Sequence, residues 1–169
     1  MKQLLSNKWS IAILALVLLV MASILLVRPA SATPFHGLHP ALVASGTLPE
    51  VVRAKLKVGE GGFSDGTDVK NISMVKYLLD PDGSFGWHQH SGPVWVIVTS
   101  GTLSIYDGDD STCTPHIYAA GSAFLDPGGD THIGVNETGE PVEVYATFML
   151  PEGGATRVDA ENPGFCNID

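Results

Sequence analysis

Three histidines in this chain of 169 residues are spaced so that they can act together. His88 and His90 are separated by Gln89, and His132 follows the turn-like run Pro127-Gly-Gly129. On a strand, residues i and i+2 point to the same face, so His88 and His90 project side by side. Three imidazoles converging inside a sheet suit a divalent transition metal; Fe, Mn, Zn, Ni and Cu all stay open, since imidazole does not choose among them. Burial without a metal demands a hydrogen-bond partner for every ring nitrogen, because an unpaired buried polar group costs about 1–3 kcal/mol. A metal-free pocket is the competing reading. Protonated imidazole cannot ligate, so such a site loses its ion as the pH falls through about 6.5.

Other polar residues draw plainer readings. Tyr77, Tyr106 and Tyr145 fall in strand-like stretches. Each could serve as an acid or base beside a metal, but packing is the simpler role. His36 and His39 read as solvated, and His116 as a strand or loop residue. Asp107, Asp109 and Asp110 lack the glycine and terminal glutamate of a calcium loop and read as a solvated turn. No side chain emerges as a general acid or base beside the three histidines, so the catalytic residue is left unassigned.

The elements that must hold the histidines are strands. Val52 to Val58, Ile72 to Leu79, Val94 to Thr99, Thr102 to Tyr106, His116 to Ala119, Ser122 to Leu125, Thr131 to Val135 and Val142 to Met149 are short and rich in β-formers. Turn residues separate them, as in Asp80-Pro-Asp-Gly83, Ser100-Gly101 and Asp107-Gly-Asp-Asp110. No stretch after the leader reads as a long amphipathic helix. Thr33 to Ser45 is broken by Pro and Gly and offers at most a short helical turn near Pro40. Eight or so such strands predict an all-β sandwich or barrel.

Gly121, Pro127, Gly129, His132 and Asn136 have the spacing Gly, five residues, Pro, one, Gly, two, His, three, Asn. With His88, His90 and Gly101 upstream, they resemble the two motifs of the cupin family, over roughly Val69 to Leu150. The resemblance implies a double-stranded β-helix, or jelly-roll barrel, with the site inside. It implies His88, His90 and His132 as metal ligands and Asn136 as a structural hydrogen-bonder. Two departures stand out. Gly83 lies one residue closer to the first histidine than usual, and the glutamate expected a few residues after the second is absent, Val94 and Trp95 holding those positions. By parity Val94 shares the face of His88 and His90, whereas Trp87 and Trp95 point to the other side. Without the glutamate, three neutral imidazoles leave a divalent ion its full charge and make its bound water more acidic. The resemblance implies a small-molecule oxygenase or isomerase, and some cupin oxygenases use three histidines without the acid. A non-catalytic module for a small ligand or a metal is the alternative, and a vestigial pocket a third. A homodimer paired through sheet edges is also implied.

The ends set the context. Residues 1–32 read as a secretory leader: Lys2 and Lys8, an apolar run from Ile11 to Val27 broken by Ser23, then Ala30-Ser31-Ala32 as a cleavage pattern. The rival is an uncleaved anchor, spanning about residues 9–27 and holding the rest on the outer face of the membrane. Either way the remainder is exported. The leader inflates the mean hydropathy of +0.19. The exported part divides into a lead-in (33–50), the barrel (51–150) and a C-terminal tail (151–169). Only six of the nine basic residues but all 18 acidic ones lie after Ala32. The resulting charge of about −12 argues against nucleic acid and anionic membrane surfaces as partners. It is compatible with neutral or cationic ligands, and the resemblance implies a small molecule as the partner. Cys113 and Cys166 are both in the exported part, where a disulfide is permitted and would tie the tail to the barrel; two free thiols are the alternative.

Overall fold

The computed structural model describes residues 33–56 and 66–168, together with Ile13. The expected leader, apart from Ile13, lies outside the described residues. So does the end of the strand expected at Val52 to Val58. Among the described residues no helix is long and apolar enough to cross a membrane.

Ten strands run in chain order: β1 His36–Ala54, β2 Thr67–Ser84, β3 His88–Gln89, β4 Val94–Ser100, β5 Thr102–Asp107, β6 His116–Ala119, β7 Ala123–Asp126, β8 His132–Val135, β9 Val142–Leu150 and β10 Val158–Asp159. They make two faces of a barrel. One has the order β1-β2-β9-β4-β7, and the other β10-β3-β8-β5-β6, all pairs antiparallel. A bridge from Ser84 on β2 to Val135 on β8 joins them. This is the all-β jelly-roll barrel that the strand pattern and the resemblance imply.

Alternation decides which side chains enter the barrel. On β9, Val142, Val144, Ala146, Phe148 and Leu150 are buried, and the residues between them are only partly so. On β4, Val94, Val96 and Val98 point inward, while Trp95 and Ile97 are exposed on the outer face. These two rows meet Val75, Leu79 and Leu103 in one apolar core. At about 25 cal/mol per Å² of buried apolar surface, this core supplies the main driving force for closing the barrel. Asn136 seals its edge: the Nδ2 group donates to the carbonyls of Asp80 and Glu140, both at 2.9 Å, and Oδ1 accepts from Thr138. It is a structural hydrogen-bonder, as the motif implies.

Two expectations need correction. The lead-in is neither loose nor helical, because β1 runs through Pro40 and Pro49 and pairs with β2 along most of its length. Among the described strands β1 pairs with β2 alone. Proline is tolerated on such an edge because its missing N–H would not enter a ladder. Register shifts between His36 and Leu38, Leu42 and Ala44, and Thr47 and Val52 absorb the irregular residues. His36 and His39 are exposed but not merely solvated. His36 donates to the Asp82 carbonyl, and His39 Nε2 meets Asp80 Oδ2, both at 2.9 Å. The second correction concerns Asp80 to Gly83, which lies within β2 instead of ending it. That stretch is an irregularity between the partners of Leu79 and Ser84, with Asp82 at φ 58°.

The tail packs as a third layer over one wall. Trp87, pointing out of the barrel, is fully buried beneath it, beside Tyr106, Ile133, Val135 and Cys166. The Trp87 indole donates to the Ile168 carbonyl at 3.0 Å. Cys166 is bonded to Cys113 across 53 residues of chain, with Cα atoms 5.6 Å apart. The bridge pins the tail over Trp87. In the chain-entropy picture, closing such a loop stabilises by about 4 kcal/mol. Reduction, or a Cys113→Ser/Cys166→Ser variant, is expected to lower the melting temperature by on the order of 10 °C, as differential scanning calorimetry would read. Metal affinity should change little, because neither cysteine lines the histidine cavity.

Candidate metal centre

Strand pairing brings the three histidines together. His88 on β3 lies directly opposite His132 on β8. His90 comes just after β3 and turns back toward the same point, because Gly129 N–H donates to the His90 carbonyl at 3.0 Å. The Pro127-Gly-Gly129 turn therefore docks on the first motif. Gly128 is needed there, since a Cβ would lie 2.7 Å from the Gly92 carbonyl and φ is 84°. Ring centroids are 4.5 Å apart for His88 and His132, 4.8 Å for His88 and His90, and 4.9 Å for His90 and His132. The candidate ligand atoms all lie within 4.8 Å of one another.

The backbone sets which nitrogen of each ring faces the cavity. His88 Nδ1 donates to the Gly86 carbonyl at 2.7 Å, His90 Nδ1 to the Thr156 carbonyl at 2.7 Å, and His132 Nδ1 to the Asp130 carbonyl at 3.1 Å. A carbonyl only accepts, so each Nδ1 carries a proton, and in the neutral tautomer that these bonds select the lone pair sits on Nε2. Three lone pairs aimed into one cavity are the donor set of a divalent transition-metal site. Phe85 stacks on His88 and Phe148 meets His90 edge-on, restricting both rings.

Burial favours the neutral form of His88 and His90. It pushes His88 down to about 2, helped by the charges that His132 and His90 would carry if protonated. His90 falls to about 4, chiefly through burial and then His132, with Asp126 acting in the opposite direction. For both rings, proton competition with a metal sets in well below the 6.5 of a free imidazole.

The cavity in front of the rings has a volume of about 70 Å³, enough for an ion with a few waters or a ligand of a few heavy atoms. Its walls are mainly the apolar core, Val94, Val96 and Phe148 among them. Val94 is 1% exposed and faces the cavity, so the strand register read from the sequence is right at this position.

Three more ionisable groups line the cavity: Tyr77, and also Asp126 and Arg157, for which the sequence suggests no role. Tyr77, which the sequence offers as an acid, a base or a packing residue, lies edge-on to Phe85, and burial raises its pKa. Arg157 comes from the tail. Its Nη1 donates to the Phe85 carbonyl at 2.5 Å and its Nε to Asp159 at 2.6 Å. Asp126 ends β7, and Oδ2 lies 3.1 Å from His132 Nδ1. The tail is therefore part of the site, supplying both Arg157 and the carbonyl of Thr156. Tyr106 is excluded, being buried on the opposite side of the wall and bonded to Glu137 at 2.8 Å. Tyr145 alternates outward from the buried row of β9. His116 is exposed and lies 3.2 Å from Asp107. Asp110 caps its own turn through Thr112 and Thr114.

Residues 75–148 match the family model described as a cupin domain. The cupin domain match therefore spans the strands and the second histidine motif described above, and over these residues the chain resembles the cupin family in fold and in its paired histidine motifs. A curated relative, the auxin-binding protein ABP19a of Prunus persica, is 23% identical over 134 residues. That alignment covers 78% of this chain and 64% of the relative, so the chain spans under two thirds of that protein's length. Among solved structures, the polyketide cyclase RemF of Streptomyces resistomycificus is similar at TM-score 0.46 and 18% identity, covering 54% of this chain and 64% of that one. The oxalate decarboxylase of Bacillus subtilis, described with Mn(II) centres, is similar at TM-score 0.46 and 20% identity, covering 52% and 23%.

Proposed function

We propose that this chain is an exported, metal-dependent cupin enzyme acting on a small molecule, with His88, His90 and His132 as the metal ligands. The observation that carries the reading is the set of three Nδ1 groups bonded to backbone carbonyls, which leaves Nε2 of each ring as the free donor, with the candidate ligand atoms of the three histidines within 4.8 Å of one another. A bound divalent ion would supply Lewis acidity and an open position for water, oxygen or substrate. Phe148, Val94 and Val96 make the cavity wall apolar. Tyr77 and Arg157 offer a hydroxyl and a fixed positive charge along its wall. These ionisable groups favour catalysis over passive binding. Oxidation by oxygen and isomerisation are the two reaction types that suit the site. The Cys113–Cys166 bridge supports export, since such bonds persist in oxidising compartments.

The test is turnover by the domain loaded separately with Fe, Mn, Zn, Ni or Cu. Oxygen uptake and substrate loss would be monitored across a panel of small hydroxylated and carbonyl compounds. The expected result is turnover with one metal, abolished in His88→Ala. Stoichiometric metal without turnover on any compound would instead favour a binding module.

A further inference from the structure

Asp126 stands where it can replace the missing glutamate from the neighbouring strand. Position 94, the family's carboxylate slot, holds a buried valine. β4 pairs with β7 antiparallel, and Val94 is directly opposite Asp126. Residues directly opposite share a face, with Cβ atoms about 4.5–5.5 Å apart. A carboxylate on either residue therefore enters the same part of the cavity.

The two oxygens of Asp126 have different surroundings. Oδ1 accepts the Gly128 N–H at 2.6 Å, the bond that folds the Pro127-Gly-Gly129 turn. An asparagine would make that bond equally well, so the turn does not explain the charge. Oδ2 lies 3.1 Å from His132 Nδ1 and 3.8 Å from His90 Nε2. The second distance falls within the 4.8 Å span of the histidine ligand atoms themselves. Among the described residues, no lysine or arginine forms an ion pair with Asp126; the basic groups it meets are the imidazoles of His90 and His132. A carboxylate with a side chain only 11% exposed is costly without a cation nearby.

We propose that Asp126 is the carboxylate ligand of the metal centre, delivered from β7 in place of a residue at position 94. This rests on the metal reading above. Site charge is thereby restored by a cross-strand exchange: a valine on one strand and an aspartate on its partner give three imidazoles and one carboxylate. The pair also explains why Val94 is tolerated, since a second acid at that position would crowd Asp126.

The test uses the metal-free domain with Co(II) alone, in chelator competition and by visible absorption at pH 7.5. Asp126→Asn keeps the turn bond and removes the charge. It is expected to weaken Co(II) binding about tenfold or more and to alter the visible spectrum, because a charged ligand leaves the ion. Its metal-free melting temperature should equal or exceed that of the parent. Adding Val94→Glu to Asp126→Asn is expected to recover most of the affinity. An unchanged spectrum with affinity within about twofold of the parent would overturn the proposal. So would weakened binding that Val94→Glu does not restore, which would mark Asp126 as a positioning residue acting through His132. If the parent itself binds no Co(II), the metal reading fails and this inference with it, a result visible before any variant is made.

Discussion

His132→Ala is expected to lower divalent-metal affinity by about 100-fold or more, while His116→Ala and His39→Ala leave it within about twofold. His132 supplies the nitrogen opposite His88 on the paired strand, and its ring orientation is held by the Asp130 carbonyl. Its removal leaves two imidazoles on one short segment and nothing facing them from β8. His116 and His39 are exposed and pair with Asp107 and Asp80, away from the cavity. Isothermal titration with a single metal checks the difference. The metal-free melting temperature of each variant separates loss of the ligand from loss of the fold.

The second large effect is on acid stability of the metal-free protein. Both His88 and His90 have folded pKa values below their unfolded value, at about 2 and about 4. Between those values and about 6.5 the unfolded chain binds protons that the folded chain refuses, so stability falls as the pH falls. Their contribution is fully present above about pH 6.5 and is lost progressively below it. From about pH 6 to about pH 4 each ring contributes up to about 1.4 kcal/mol per pH unit, which is large against a marginal folding free energy. The metal-free domain is therefore expected to unfold on acidification in that window. His88→Leu removes one of the two rings and should flatten the slope. Urea unfolding at a series of pH values measures it, and equal slopes for parent and variant would refute the burial account of His88.

Much of the site could be read from residue spacing alone. His88 and His90 at i and i+2 had to share a face, and Val94 joined them by parity. The glycines and proline before His132 announced the turn that docks it. What spacing could not supply were contacts set by pairing between strands distant in sequence. Asp126 sits just before Pro127 and reads as a turn residue until β7 is laid against β4 in register with Val94. The Thr156 carbonyl and the Arg157 side chain come from a tail of low β-propensity, whose path beside the site is set by β10 pairing with β3. β1 was hidden for another reason. Its prolines and glycines mimic a loop, and only its position beside β2 makes it a strand.

The central claim is that three Nε2 lone pairs hold an ion. The most direct test is elemental analysis of residues 33–169, purified without chelator or histidine tag, beside a His88→Ala/His90→Ala/His132→Ala variant. The account predicts close to one divalent transition metal per parent chain and none in the variant. Equal metal content in the two, or a parent chain that stays metal-free and gains no thermal stability from added Fe, Mn, Zn, Ni or Cu, would contradict it.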